Sequence, residues 1–199
     1  MENNLRNSLK EMNIRQLLGE QTKNNHDIVE KLNYLSKDNV SKMDYIKFLI
    51  VFFKIVFPIE QIYDKKFKTE IEISFEPSFK TELILSDLKN LNVDFSQIKS
   101  TNFLPKIETK FQMIGALYVL EGSVLGATML YSKLLSLFGE EFKENLHYLY
   151  GYGKDNFIKW KNFLKLLDSY EAISNHSKLE ILETAKSTFD CFANEFKAT

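Results

Sequence analysis

Three glycines inside one apolar helical stretch constrain this chain more than any other feature. From Ile107 to Phe138 apolar residues recur at helical spacing. The run Gly115-Ala116-Leu117-Tyr118-Val119-Leu120-Glu121-Gly122-Ser123-Val124-Leu125-Gly126-Ala127 lies within that pattern. An interior glycine costs a helix about 1 kcal/mol relative to alanine, so Gly115, Gly122 and Gly126 need a compensating role. Gly122 and Gly126 are four apart, which puts them on one face and strips that face of side chains. A bare strip admits either a closely packed neighbouring helix or something large and flat against the backbone. On the glycines alone the neighbouring helix is the simpler account; what shifts the balance is His26, near the other end of the chain.

The remaining sequence reads as helical. Only seven glycines and three prolines occur in 199 residues, too few for a fold built on many tight β-turns. Ile14, Leu17, Leu18, Ile28, Val29 and Leu32 carry a first helix past Thr22 and His26. Ser41, with Asp44 three residues on, forms a capping-box pattern for a second helix from about Lys42 to Phe57, which Pro58 bends or ends. Lys65 to Lys80 alternates charged and apolar residues around Pro77 and reads as a loop with a short extended piece. Glu82 to Leu91 is a short helix, and Asn92 to Lys106 a connection closed by Pro105. Ile107 to Phe138 is the long helix, and Tyr148 to Gly153 a turn. Asp155 caps a helix to about Tyr170, and Ser177 to Phe196 is the last. The expected fold is all-α: a compact single-domain bundle of six to eight helices over residues 1–199, with 1–12 a loosely attached extension.

Composition excludes several function classes. A net charge of −1 gives no large electrostatic footprint for nucleic acid. One cysteine, Cys191, rules out an intrachain disulfide and a CxxC-type zinc site, and it reads as a buried thiol. The apolar stretch Tyr45 to Ile62 is broken by Lys47, Lys54, Pro58 and Glu60, so membrane insertion is not expected. The first residues lack an apolar signal-peptide core, and the expected location is cytoplasmic.

Of three histidines, His147 and His176 lie in polar stretches and read as solvated and incidental. His26 sits within a helix on the margin between its apolar and polar faces. Glu30, one turn later, can accept the Nδ1 proton, fix the tautomer and leave Nε2 free for iron. No second His or Cys stands at a spacing that would complete a four-ligand zinc site. One axial bond to a haem iron needs one imidazole.

Together these residues resemble the haem oxygenase family, in its bacterial, biliverdin-producing form. Leu18-Gly19-Glu20-Gln21-Thr22-Lys23-Asn24-Asn25-His26-Asp27-Ile28-Val29-Glu30 is similar to the family's first helix, with Thr four before the proximal His and Glu four after. Leu117 to Gly126 is similar to its distal helix. Tyr150-Gly151-Tyr152-Gly153 with Trp160-Lys161-Asn162-Phe163 resembles the bacterial pattern that follows, and Thr188-Phe189 with Phe192 and Phe196 the closing helix. The likeness runs from about Ile14 to Phe196.

The resemblance implies that haem b, both cofactor and substrate, lies between the first helix and the long helix. His26 would ligate the iron, with Glu30 beside it. Gly122, Ser123 and Gly126 would form the distal, catalytic side. Ser123 stands where many animal relatives carry an aspartate that organises distal water. Lys161 and Lys165 would hold the propionates, with Lys23 and Arg15 as further candidates, and Phe189 would wall the pocket. Trp160 reads as structural, and Tyr118 has no assigned role. The implied reaction opens haem with O2 and external electrons to biliverdin, CO and ferrous iron. The donor would be a ferredoxin, a flavodoxin or a flavin reductase, and a biliverdin-accepting photoreceptor is a candidate recipient. A carrier or sensor of the same fold that binds haem without degrading it is the alternative.

Overall fold

Among the described residues, four α-helices begin where an N-cap side chain satisfies a free amide of the first turn, whereas Asp155, the expected cap of the helix that follows it, accepts none. The computed structural model describes residues 12–71, 80–170 and 172–199. The expected extended piece around Pro77, and all but the last residue of the N-terminal extension, lie outside these. Asn13 accepts the amide of Gln16 and opens α1, Ile14–Gln21; α2 follows as Lys23–Leu32. Ser41 and Asp44 form the expected reciprocal capping box at the start of α3, Lys42–Ile62. α4 is Lys80–Asn90. A second capping box, Thr109 with Gln112, opens α5, Lys110–Phe138. The short α6, His147–Tyr150, leads to α7, Asn156–Ser169. Ser174 accepts the amide of Ser177 and opens α8, Asn175–Ala198. Among the described residues there is no strand, so the all-α expectation holds.

Four local expectations are corrected. The first helix is two helices, broken at Thr22 (φ −101°, ψ −3°), where the threonine hydroxyl donates back to the Leu18 carbonyl at 2.7 Å. A hydroxyl bonded to its own preceding turn bends a helix. Next, α3 runs through Pro58 to Ile62 and then widens into a π-turn, Tyr63–Phe67. Ile59 and Glu60, just past the proline, are both buried, so packing holds the last turn together. α4 starts two residues before Glu82, because the Glu60 carboxylate accepts the amides of Lys80 (2.6 Å) and Thr81 (3.2 Å). Lastly, His147 is not incidental. Asp87, wholly buried, accepts the His147 amide at 2.8 Å, the Tyr148 amide at 2.9 Å and the Tyr45 hydroxyl at 2.7 Å. The His147 ring sits 2.9 Å from the same carboxylate. Burial pushes the Asp87 carboxyl up, and these donors oppose the shift. One side chain thus ties α3, α4 and α6 together.

The centre of the bundle is α5, packed along α8 and flanked by α6 and α7. By length and composition α5, rather than the Tyr45–Ile62 stretch, is apolar enough to cross a membrane. Yet 56% of its most apolar window is buried within the bundle. Against it lies an aromatic core in which Phe52 contacts Phe48, Tyr148, Phe192 and Phe196.

Gly115 is explained by the α5–α8 contact. A methyl group placed on it would fall 2.2 Å from the Ile181 carbonyl oxygen and 3.1 Å from the Ala185 amide nitrogen. Both are backbone atoms, which cannot swing aside. Gly115→Ala should therefore destabilise the protein by about 1–3 kcal/mol despite alanine's better helix propensity. Urea unfolding would measure this, and a neutral or stabilising result would show that the two helices are not clamped there.

Candidate functional site

The two halves of the expected site are held by a common support. α2 packs on α8, and so does α5, but α2 makes no comparable contact with α5. On α2, the His26 ring is 60% exposed. It meets the edge of Phe189 on α8 at 5.9 Å between ring centres. Its Nδ1 stands 3.9 Å from a Glu30 carboxylate oxygen and 3.8 Å from one of Asp27. These are ion-pair rather than hydrogen-bond distances, but they turn the ring's Nδ1 side toward negative charge. The three exposed side chains offer ligand atoms within 4.8 Å of one another. Asn25 anchors the helix by donating to Asp190 on α8 at 2.8 Å.

The three glycines of α5 serve different ends. Gly115 is spent on packing against α8. At Gly122 an added methyl would touch only the Trp160 ring, at 3.6 Å, an ordinary contact. At Gly126 it would meet nothing within 4 Å. Next to this bare position along α5, Leu125 is 45% and Met129 77% exposed; on α2, Ile28 is exposed as well. The glycine strip thus passes from a packed end to an open, apolar one.

Ser123 lies off that strip. Its hydroxyl donates to the Leu120 carbonyl at 2.7 Å. Its side faces a small cleft, partly open to solvent, shared with Lys80, Leu83, Tyr148 and Tyr152. Burial raises the Tyr148 phenol, with Glu60 and Glu121 adding to the effect and the Ser123 hydroxyl countering it. The serine's proton is therefore engaged within its own helix.

On α7, Lys161 and Lys165 are exposed and make no ion pair among the described residues. Arg15 is already paired, with Asp168 on the same helix. Lys23 is exposed on α2. Trp160, on the same turn as Lys161, stacks on Phe163 and packs against Tyr118. Cys191 is buried as expected, which pushes its thiol up to about 11.

Sequence reasoning missed Tyr118, Tyr148, Lys80 and Glu121. Burial raises the Tyr118 phenol, and the Thr22 hydroxyl counters this across the gap from α5 to the α1–α2 break. Lys80 and Glu121 form a buried ion pair at 2.6 Å. The one available signal was a glutamate set in an otherwise apolar stretch of α5.

Comparison with known proteins gives the family and the fold. The family model described as heme oxygenase matches residues 12–198. A haem oxygenase from Neisseria meningitidis, solved in NO- and CO-bound forms, superposes with a TM-score of 0.77 at 22% identity, covering 94% of this chain and 92% of that one. A haem oxygenase from Leptospira interrogans gives 0.78 at 18% identity, covering 94% and 100%. At such identities the structures speak for the fold. No curated protein matches the chain in sequence.

Open space at Gly126 fixes the sign of its substitution. Gly126→Ala should stabilise the ligand-free protein by about 1 kcal/mol, the helix-propensity gain of an unhindered site. A loss of stability in urea unfolding would mean that the position is not open.

Proposed function

The chain belongs to the heme oxygenase family, and from that premise we propose that it binds haem b between α2 and α5 and opens it with O2 and external electrons, yielding biliverdin, CO and ferrous iron. The observation that carries this reading is the pairing of an exposed, solitary imidazole on α2 with a side-chain-free strip on α5, both supported by α8. The residues fit a large flat ligand: apolar on Leu125, Met129 and Ile28, and open where Gly126 leaves the backbone uncovered.

Bound haem supplies the iron at which dioxygen is reduced, and its own ring is what becomes oxidised. The chain supplies position and polarity. With Nδ1 toward Glu30 and Asp27, a neutral His26 keeps its proton on that nitrogen and presents the Nε2 lone pair as ligand. The Phe189 edge limits rotation of the ring. Gly126 would let the α5 backbone approach the opposite face of the ligand, with Gly122 one turn before it lying against the Trp160 ring. Lys161 and Lys165 lie four apart on α7 as point charges for the ligand's carboxylates. Electrons arrive from outside, from a ferredoxin, a flavodoxin or a flavin reductase. A photoreceptor that takes up biliverdin is a proposed recipient.

One observation favours a second reading, a haem carrier or sensor. Ser123 donates to the Leu120 carbonyl, not toward the open strip, so this side chain gives weak support to a distal water network.

Optical titration with haem, followed by ascorbate in air, separates the two. The wild type should bind one haem, lose its Soret band under reduction and release biliverdin, while His26→Ala should lose the histidine-ligated spectrum and turnover. Haem held through His26 that survives reductant and oxygen would establish the carrier. Failure to bind haem stoichiometrically would sink both readings. Gly126→Ala should weaken haem binding while stabilising the free protein, a combination that general damage to the fold cannot produce.

A further inference from the structure

Three charged side chains are buried together behind the glycine strip. Lys80 and Glu121 are 3% and 1% exposed, and Lys80 Nζ lies 2.6 Å from Glu121 Oε1. Glu60, also buried, holds the Lys80 and Thr81 amides, so the lysine is fixed at its backbone as well as at its tip. Burial raises the Glu60 carboxyl, and the Lys80 charge is among the effects that oppose the rise. Removing charges from water is costly, and an apolar pair of similar volume is commonly as stable. The pair therefore calls for a role beyond stability.

Its place on α5 suggests one. Glu121 and Ser123 bracket Gly122 in sequence and project about 100° to either side of it. In front, Gly122 and Gly126 carry no side chains to fix the helix. Behind lies a small cleft lined by Lys80, Ser123, Val124, Ala127 and Tyr148, with room for about one water. A helix segment with two glycines in little more than one turn bends readily, and at Gly126 this one has open space in front of it.

We infer that Lys80 is a positioning residue: through its buried ion pair with Glu121 it fixes the rotation and lateral position of α5 at Gly122–Gly126, and hence the approach of that backbone to a flat ligand. The link to a ligand rests on the haem oxygenase reading, whereas the positioning itself rests on the geometry alone. α3 holds α4 through Glu60, α4 holds α5 through Lys80, and the glycine segment takes its place from that chain of contacts.

Amide hydrogen exchange of the ligand-free protein tests the positioning. In Lys80→Met, amides of residues 119–127 should exchange at least tenfold faster than in wild type. Residues 111–116, where α5 is clamped against α8, should change less than twofold. Lys80→Arg, which keeps the charge, should recover most of the protection. If Lys80→Met does not fold, Glu121→Gln, which keeps the shape and a hydrogen-bonding side chain, should give the same local rise. Wild-type protection across 119–127, or a uniform rise along all of α5, would overturn the proposal, the latter by reducing the pair to a stability element. On the haem-loaded protein, Lys80→Met should broaden the Soret band and spread the biliverdin over more than one isomer. An unchanged band and a single isomer would also count against it. If the wild type fails to take up haem, the functional reading falls, and the exchange arm still decides the positioning.

Discussion

The close approach of α5 and α8 is the contact from which the rest of the arrangement follows. It exists because Gly115 has no side chain, so that the Ile181 carbonyl can lie where a methyl group would otherwise be. With these axes drawn together, α8 can also carry α2 on its surface, and His26 meets Phe189 there. α7 then closes on the other flank through Trp160, which covers the next glycine. Were α5 and α8 pushed apart by a side chain, the two walls of the cleft would lose their common reference. Their separation, which on the proposed reading has to match a flat ligand, would no longer be set by rigid helices.

Much of this could be read from the chain itself. The capping residues at Ser41 and Asp44, the glycine strip and His26 with Glu30 one turn on are local patterns, and local patterns survive folding. What could not be read depended on distant partners. The break at Thr22 sits where that side chain meets Tyr118 from α5, and the start of α4 is set by Glu60 twenty residues earlier. His147 looks solvated by its neighbours in sequence and is instead drawn to Asp87, sixty residues away. Buried charge is hard to foresee for the same reason: a lysine or glutamate reads as surface until its partner is known. The fold class was legible because periodicity is local. The support behind the site was not.

The glycines show how one residue type can do unlike work within a single helix. Gly115 serves packing, Gly122 meets an aromatic ring, and Gly126 opens on space. All three would look equivalent by composition. Only the neighbours distinguish them, and the energetic sign of adding one methyl group reverses from the first to the last.

The break at Thr22 also divides the molecule by how firmly its parts are held. α1 has three buried residues in its eight, Ile14, Leu17 and Leu18, whereas α2 has none in its ten. The segment carrying His26 lies along α8 through partly buried side chains, Val29 and Leu32 among them, while the segment before it is rooted in the core. Local opening draws on such weakly anchored elements. The proposed reaction would turn a rigid disc into a pliable, twisted chain, which no longer fits the slot it entered by. On the reading proposed above, the wall bearing the imidazole is the less deeply buried of the two, and a product leaving past it would not disturb the central helices.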